Sequence, residues 1–394
     1  MRILIANLGS TSLKYKLFSI DESAATALAK GGFERVTDYG AAIDEMLAAL
    51  KAEGFLERAE DIDAVGFKTV MGKDLSGCVE GDDAMIAALE GFAEVAPAHN
   101  PPYAAGIRSF AEKLPKARRV ALFETAFYQW VSEAASHYAI PKAWRDLGIR
   151  RYGFHGASHK FVAERSAELC LRGDVAECVR GLYVDGPRDT GKAPLRVISC
   201  HLGGSSSVTG IRDGVAIGTS MGFTPQSGLP QNNRVGDLDA MALPYAAKAL
   251  GIGYGEAVRQ LNKESGLLGL SDGASNDMRD VHAAIEQGNE AAKLAFGVLI
   301  HSLRHWAGSF YLELGGLDAL CFTAGIGEND TAVRAAVCEN LQPFGIVLDP
   351  KRNAAVRGGK EGVISADDSP VKIMVIPANE ELVVAREVHR KLTS

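Results

Sequence analysis

The sequence predicts an α/β protein made of two related halves. Short buried-type strands alternate with amphipathic helices along its length. Glycine-rich turns follow several of those strands. Two strand–turn–strand segments nearly half a chain apart also share one plan: Ile5-Ala6-Asn7-Leu8-Gly9-Ser10-Thr11-Ser12 and Ser199-Cys200-His201-Leu202-Gly203-Gly204-Ser205-Ser206. Each runs strand, polar residue, Leu-Gly, small hydroxylated residues, and then a returning strand.

The elements follow in order. Residues 3–6 are a short apolar run, Gly9-Ser10-Thr11-Ser12 a turn, and 13–18 an alternating return strand. A helical period covers 41–50, and 64–70 and 120–123 read as strands. An amphipathic helix spans 157–171, and a polar stretch over 173–194 reads as a surface excursion without chemistry. Strands at 197–201 and 207–211 flank the second glycine–serine turn. Helical periods cover 238–250 and 291–314, then a strand at 319–323 leads through a glycine turn to a helix over 331–341. A strand at 374–376 and a helix over 380–391 complete the pattern.

Composition removes several function classes. The 394 residues are 47% hydrophobic and 23% charged, which is ordinary for a folded soluble chain and excludes disorder as the main state. A net charge of −7 leaves no footprint for a nucleic-acid backbone. No apolar run approaches the roughly 20 residues needed to cross a bilayer. The opening apolar run stops at Asn7 and is followed by Lys14 and Lys16, so it reads as a strand rather than a signal segment. Six cysteines without a CxxC pair point to free thiols in a reducing compartment, and a cytoplasmic location is expected. Glycine is in excess, 43 residues, where about 7% is usual.

Consecutive small residues leave backbone N–H groups free to converge on an anion, and Ser and Thr hydroxyls add donors. A third such string, Phe322-Thr323-Ala324-Gly325-Ile326-Gly327-Glu328-Asn329, follows a buried strand and precedes a helix, a place where a nucleotide packs on backbone and helix N-terminus. It is not the dinucleotide fingerprint, because Asn329 and Asp330 stand where the third glycine belongs, and no GxxxxGK[ST] loop occurs. Two facing phosphate hairpins and a separate adenosine loop suggest the duplicated fold of actin, sugar kinases and chaperone ATPases.

Longer strings then resemble the acetate kinases over nearly the whole chain. Asn7-Leu8-Gly9-Ser10-Thr11-Ser12-Leu13-Lys14 is similar to that family's opening signature, and Arg150-Arg151-Tyr152-Gly153-Phe154-His155-Gly156-Ala157-Ser158-His159 to its second. Thr219-Ser220-Met221-Gly222-Phe223-Thr224-Pro225, Ser275-Asn276-Asp277-Met278-Arg279-Asp280, the 322–329 string and Asn379-Glu380-Glu381-Leu382 match in the same order.

The resemblance implies reversible in-line phosphoryl transfer between ATP and a short carboxylic acid, with Mg²⁺ or Mn²⁺ bound. By position, Arg234, His155 and Glu124 carry catalysis, and Asn7 and Glu380 hold the metal. Lys68, Val70, Ala98, Phe154 and Pro225 form the acid pocket. Ser10, Ser12, Lys14, His201, Gly203 and Gly204 face the phosphates, and Asp277, Met278, Arg279, Gly325, Ile326, Gly327, Glu328 and Asn329 surround the nucleotide. It further implies a homodimer, with one domain over 1–128 plus 381–394 and a second, dimerising domain over 129–380.

Plainer readings stand beside these. His155 in an aromatic setting also fits a core histidine, Arg234 a surface arginine, and Glu380 a helix start where the macrodipole favours carboxylates. The cysteines and Trp130, Trp144 and Trp306 read as packing residues.

Departures from the family pattern cluster toward the acid. Phe67-Lys68-Thr69-Val70-Met71-Gly72-Lys73 replaces His-Arg-x-x-His-Gly-Gly, so a point charge stands where the family has a planar fork. Glu124 replaces an aspartate, Ala98 a leucine, Gly204-Ser205 an Asn-Gly pair, and Gln231-Asn232-Asn233 a Met-Gly-Thr string. The nucleotide strings are nearly unaltered, an asymmetry that favours a working kinase with a changed acid pocket. A larger or more polar acid than acetate and a non-catalytic nucleotide-binding relative are the alternatives.

Overall fold

A computed structural model describes residues 1–21, 24–96 and 99–393. Among the described residues twelve strands form two six-stranded sheets. The first holds β1 (Arg2–Gly9), β2 (Ser12–Ile20), β3 (Ala25–Glu34), β4 (Ala64–Thr69), β5 (Cys78–Glu80) and β6 (Arg118–Phe123), in the order β3-β2-β1-β4-β6-β5. The second holds β7 (Arg196–Leu202), β8 (Ser206–Arg212), β9 (Val215–Thr219), β10 (Ala319–Thr323), β11 (Gly362–Val363) and β12 (Lys372–Val375), in the order β11-β12-β10-β7-β8-β9.

The two orders are one topology written twice. β1 pairs antiparallel with β2 and parallel with β4, as β7 does with β8 and β10. Each sheet's outermost short strand is antiparallel to its neighbour. The duplication read from the two Leu-Gly turns is therefore structural, and it makes Asn7 and His201 equivalent positions at the ends of β1 and β7.

Twelve helices matter here: α1 (Tyr39–Ala52), α2 (Asp83–Gly91), α3 (Asn100–Lys113), α4 (Gly156–Leu169), α5 (Gly173–Asp185), α6 (Ala242–Leu250), α7 (Tyr254–Lys263), α8 (Met278–Glu286), α9 (Glu290–Leu314), α10 (Ala324–Asn329), α11 (Thr331–Cys338) and α12 (Glu380–Thr393). Side-chain caps set several starts. Asp38, Asp82, Asp277, Asn289 and Asp330 accept from first-turn amides of α1, α2, α8, α9 and α11, each cap worth about 1 kcal/mol.

Several expectations are corrected. The polar stretch from 173 contains α5, whose Val175, Ala176, Val179 and Leu182 are buried on one face; its charged face masked the period. The helix expected from 238 starts at Ala242, and that expected to 341 ends at Cys338. The glycine turn after β10 is itself helical, as α10. Trp144 is exposed rather than packed.

The last helix closes the first sheet. α12 packs on β1, β2, β4 and β6 through Val383, Val384, Ala385 and Val388. A glycine is required beneath it, since a Cβ on Gly66 of β4 would lie 2.9 Å from Val388 and 2.7 Å from Ile5. The other side of α12 meets α4, which lies against β7 of the second sheet. There Lys160 and Glu387 form a 2.8 Å ion pair with both side chains almost wholly buried. Glu164 of α4 takes Arg386 of α12 at 3.1 Å and Arg180 of α5 at 2.8 Å.

A buried pair broken on one side leaves an uncompensated charge, at a cost of about 3–5 kcal/mol. Glu387 Oε1 also takes Arg390 at 2.6 Å, so Lys160→Met leaves it one of two cations and is expected to lower stability by about 1–3 kcal/mol, below that range, read as a shift in the urea midpoint. A change under 1 kcal/mol in the single variant contradicts this account.

Candidate active site

The charged residues singled out in the sequence meet at the carboxyl ends of the parallel strands, where open α/β sheets bind ligands. Lys68 near the end of β4 extends its ammonium between two carboxylates. Glu124 Oε1, just past β6, lies 3.0 Å away, and Glu380 Oε2, at the start of α12, is in direct hydrogen-bond contact. Burial alone would push Lys68 down, but the Glu124 and Glu380 charges outweigh it and hold the ammonium well above its ordinary value. For Glu380 burial pulls upward, and Lys68 with its hydrogen bond more than offsets that, leaving the carboxyl below its ordinary value. All three side chains are mostly shielded from water.

Glu124 also reaches the second half. Its Oε2 accepts from the His155 N–H at 2.6 Å, and its carbonyl from the Gly156 N–H at 3.0 Å. His155 precedes α4 with φ +60°, a conformation that costs a non-glycine residue about 1–3 kcal/mol. The next position has to be glycine, because a Cβ there would stand 2.2 Å from the Glu124 carbonyl oxygen.

Three imidazoles then run into the second sheet. The His155 and His201 rings stack at 4.0 Å between centroids. His155 Nδ1 bonds Ser207 Oγ at 2.8 Å, His201 Nδ1 bonds Ser158 Oγ at 2.8 Å, and His159 bonds Ser199 and Ser207, both at 2.8 Å. Burial pushes all three below the ordinary 6.5, and mutual repulsion adds to this at His155 and His159. The rings are therefore neutral at pH 7 and act as hydrogen-bonding groups rather than charges.

Arg234 brings a further cation to the site, half-buried on the turn after Gln231. Its guanidinium donates to Gln231 Oε1 at 3.1 Å and to Ser205 Oγ at 3.4 Å, while Gln231 Nε2 donates to the Pro225 carbonyl at 2.6 Å. Two residues that depart from the family pattern thus orient this arginine. Val70 and Phe154 share an apolar cluster with Met71, Ala96, Tyr152 and Met221. Ala98 lies outside the described residues.

Beside the charged cleft is a cavity of about 750 Å³, within the range of small-molecule sites. Gly203, Gly204, Asp277, Met278, Arg279, Gly325, Ile326 and Asn329 line it, as the sequence anticipates. Asp277 is held down to about 2 by its Arg279 hydrogen bonds. Gly327 and Glu328 stand outside the lining. Their carbonyls accept from Arg334 at 2.9 and 2.8 Å, and the Glu328 carboxylate takes the Ala378 N–H at 2.9 Å. Ser10, Ser12 and Lys14 lie in the first hairpin away from this cavity, and Lys14 pairs with Glu34 at 3.3 Å.

Sequence reasoning missed Asn232, His282, Asp330 and Arg357, which also line the cavity. His282 lies one helical turn after Met278 and bonds Asp330 at 2.7 Å, so its spacing was a usable signal. It also missed Arg334, fully buried and donating to Gly327, Glu328, Asn353 and Val356. Nothing local marks an arginine that fastens a helix from behind.

For a divalent ion the expected donors are Asn7 and Glu380. Asn7 Oδ1 is buried with no partner, while its amide donates to Glu381 at 3.4 Å. An orphaned carbonyl-type oxygen near a charged carboxylate suits a hard cation held mainly by phosphate and water oxygens. Among the described residues no cluster of three or more His, Cys, Asp or Glu could hold a metal alone.

A duplicated α/β frame, a charged cleft at its strand ends and a nucleotide-sized cavity beside it define a phosphoryl-transfer enzyme of the actin-like ATPase fold. The model of the Acetokinase family matches residues 32–386. The acetate kinase of Geobacillus kaustophilus is 40% identical over 99% of this chain and 98% of its own, and that of Macrococcus caseolyticus 39% over 98% of each. Among solved structures, the acetate kinase of Porphyromonas gingivalis superposes with a TM-score of 0.87 at 34% identity, covering 99% of both chains. The propionate kinase of Francisella tularensis gives 0.83 at 32%, covering 98% of both. The chain belongs to the acetokinase family.

The neutral imidazoles carry a pH signature. Each has a folded value below its unfolded 6.5, so the unfolded chain binds more protons and stability rises with pH across that interval. The contribution is complete above 6.5 and is lost as pH falls through the folded values. Urea unfolding at pH 7.5 and 5.5 is expected to show lower stability at 5.5, with a smaller difference in His159→Gln. An unchanged difference in that variant contradicts the assignment.

Proposed function

We propose that the protein transfers the γ-phosphoryl group of ATP to a carboxylate oxygen of acetate or a related short-chain acid, reversibly, giving an acyl phosphate and ADP. The chain is a carboxylate kinase, as its family and full-length relatives indicate. One observation carries the residue-level reading. Lys68, Glu124, His155, His201 and Glu380 converge from both sheets beside a nucleotide-sized cavity.

In that reading a carboxylate oxygen attacks the γ-phosphorus in line as the bond to the β–γ bridging oxygen breaks. Such a transition state spreads negative charge over the transferring oxygens, so alignment and neutralisation do most of the catalysis. Arg234 supplies the charge and neutral His155 a hydrogen bond. Lys68 meets the acid's carboxylate, and Val70, Phe154 and Pro225 border its chain. Glu124 holds Lys68 and the His155 N–H in place. Asn7 and Glu380 would hold Mg²⁺ or Mn²⁺, which when bound offsets phosphate charge.

Further readings rest on separate observations. A homodimer is supported by Met241, Tyr245, Leu250 and Tyr254, large side chains exposed together on and beside α6 and α7. Six free thiols support a cytoplasmic location. Domains over 1–128 with 381–394, and over 129–380, are supported by the shared core of α12 with β1, β2, β4 and β6.

Hydroxylamine trapping of the acyl phosphate tests the function. With Mg²⁺-ATP, a hydroxamate is expected from at least one of acetate, propionate, butyrate and their hydroxylated analogues. The acid with the highest kcat/KM identifies the substrate class. Arg234→Leu is expected to lower kcat by about 100-fold or more while ATP affinity stays within about threefold. ATP binding without hydroxamate from any acid would sink the enzymatic reading in favour of a binding protein.

A further inference from the structure

The departures in the second hairpin and in the loop before Arg234 are a single exchange. The family pattern places an asparagine where this chain has Gly204 and a glycine where it has Asn232. The structure puts these two positions face to face. The Asn232 N–H donates to the Gly204 carbonyl at 3.3 Å, and a Cβ built on Gly204 would lie 3.4 Å from Asn232 Nδ2. Both residues line the nucleotide cavity. The carboxamide has not been lost from the site. It stands on the wall facing the position where the family pattern has it.

Its environment points to a ligand. Asn232 Oδ1 is buried and has no hydrogen-bond partner, although buried acceptors are normally paired. The backbone around it is fixed on both sides: Leu268 N–H donates to the Asn232 carbonyl at 3.0 Å, and Gln231 N–H to the Arg234 carbonyl at 3.0 Å. The side chain is therefore held beside the hairpin with its polar atoms unspent. Ser205, the next residue of that hairpin, already touches Arg234, so the position lies at the phosphate end of the cavity, between hairpin and arginine.

We infer that Asn232 is a phosphate-binding residue of the nucleotide site, its carboxamide bonding the β- or γ-phosphoryl oxygens, or their hydration water, from the wall opposite the hairpin. The inference rests on the nucleotide reading of this cavity and deepens it. An amide carries both donor and acceptor at adjacent atoms, so one side chain satisfies a phosphoryl oxygen through Nδ2 and a bound water through Oδ1. A Cβ at Gly204 would be in van der Waals contact with that amide, so the two positions face each other across the site.

Calorimetry with AMP, ADP and ATP, in Mg²⁺ and without acid, tests this on the full-length protein. Asn232→Ala is expected to weaken ATP binding by about tenfold, the scale of one hydrogen bond to a charged group, and to leave AMP within about twofold. Asn232→Asp, which keeps the shape and sets a negative charge against the phosphates, is expected to weaken ATP further while its melting temperature stays near that of the parent. Gly204→Asn with Asn232→Gly is expected to regain most of the ATP affinity that Asn232→Gly alone loses. Equal losses for AMP and ATP, or no loss for ATP, overturn the inference. Because no acid is present, a chain that binds ATP through Asn232 but traps no hydroxamate fails the kinase reading alone. An unaltered protein that binds no nucleotide fails both.

Discussion

One ammonium group organises the cleft. Lys68 stands between a carboxylate past β6 and another opening α12, so three stretches of chain far apart in sequence share one charge. Two carboxylates this close repel unless a cation sits between them, and Lys68 is that cation. Removing it would leave two shielded negative charges, which explains why Lys68 is held well above its ordinary value despite burial. Everything downstream follows from where Glu124 is thereby fixed. Its second oxygen takes the His155 N–H, that bond stabilises a left-handed residue, and that residue starts the helix carrying Ser158 and His159 into the second sheet. The two halves are thus registered to each other through polar contacts at the strand ends.

The substitutions at positions 68 and 124 make physical sense as partners. A lysine reaches its target as a compact charge without the fork of an arginine, and a glutamate extends one methylene further than an aspartate. The pair still closes, at 3.0 Å. Gln231 and Ser205 likewise depart from the family pattern and both contact Arg234. Altered positions touch one another instead of scattering, as expected when a site is rebuilt with its geometry retained.

Much of this was legible in the sequence, because the signals were local. A strand ending in Leu-Gly-Ser-Thr-Ser announces a hairpin whose backbone can bind anions, and its second copy announced the duplication that the paired sheet orders repeat. What escaped was long-range or masked. β3 alternates weakly, with most of its residues partly or fully exposed. α5 hides its apolar face among charges. Arg334 reads like any arginine on a helix, and only the folded chain reveals four backbone carbonyls around it. The resemblance carried the site residues as individuals. It did not disclose that Lys68, Glu124 and Glu380 hold one another.

The return of α12 to the first sheet sets the order of events at the ribosome. One face of that sheet, with Ile3, Ile5, Phe18, Val120 and Leu122, is covered by Val383, Val384 and Val388. The strands have been synthesised by Phe123, but their cover begins only at Glu380. At about 5–20 residues per second, the wait is roughly 13 seconds to one minute. Throughout it the nascent chain shows a sticky apolar plate, while the second sheet and its helices are still being made. The molecule cannot be completed half by half. Its first half stays uncovered until α12 has been made, so translation speed becomes part of how this fold is reached.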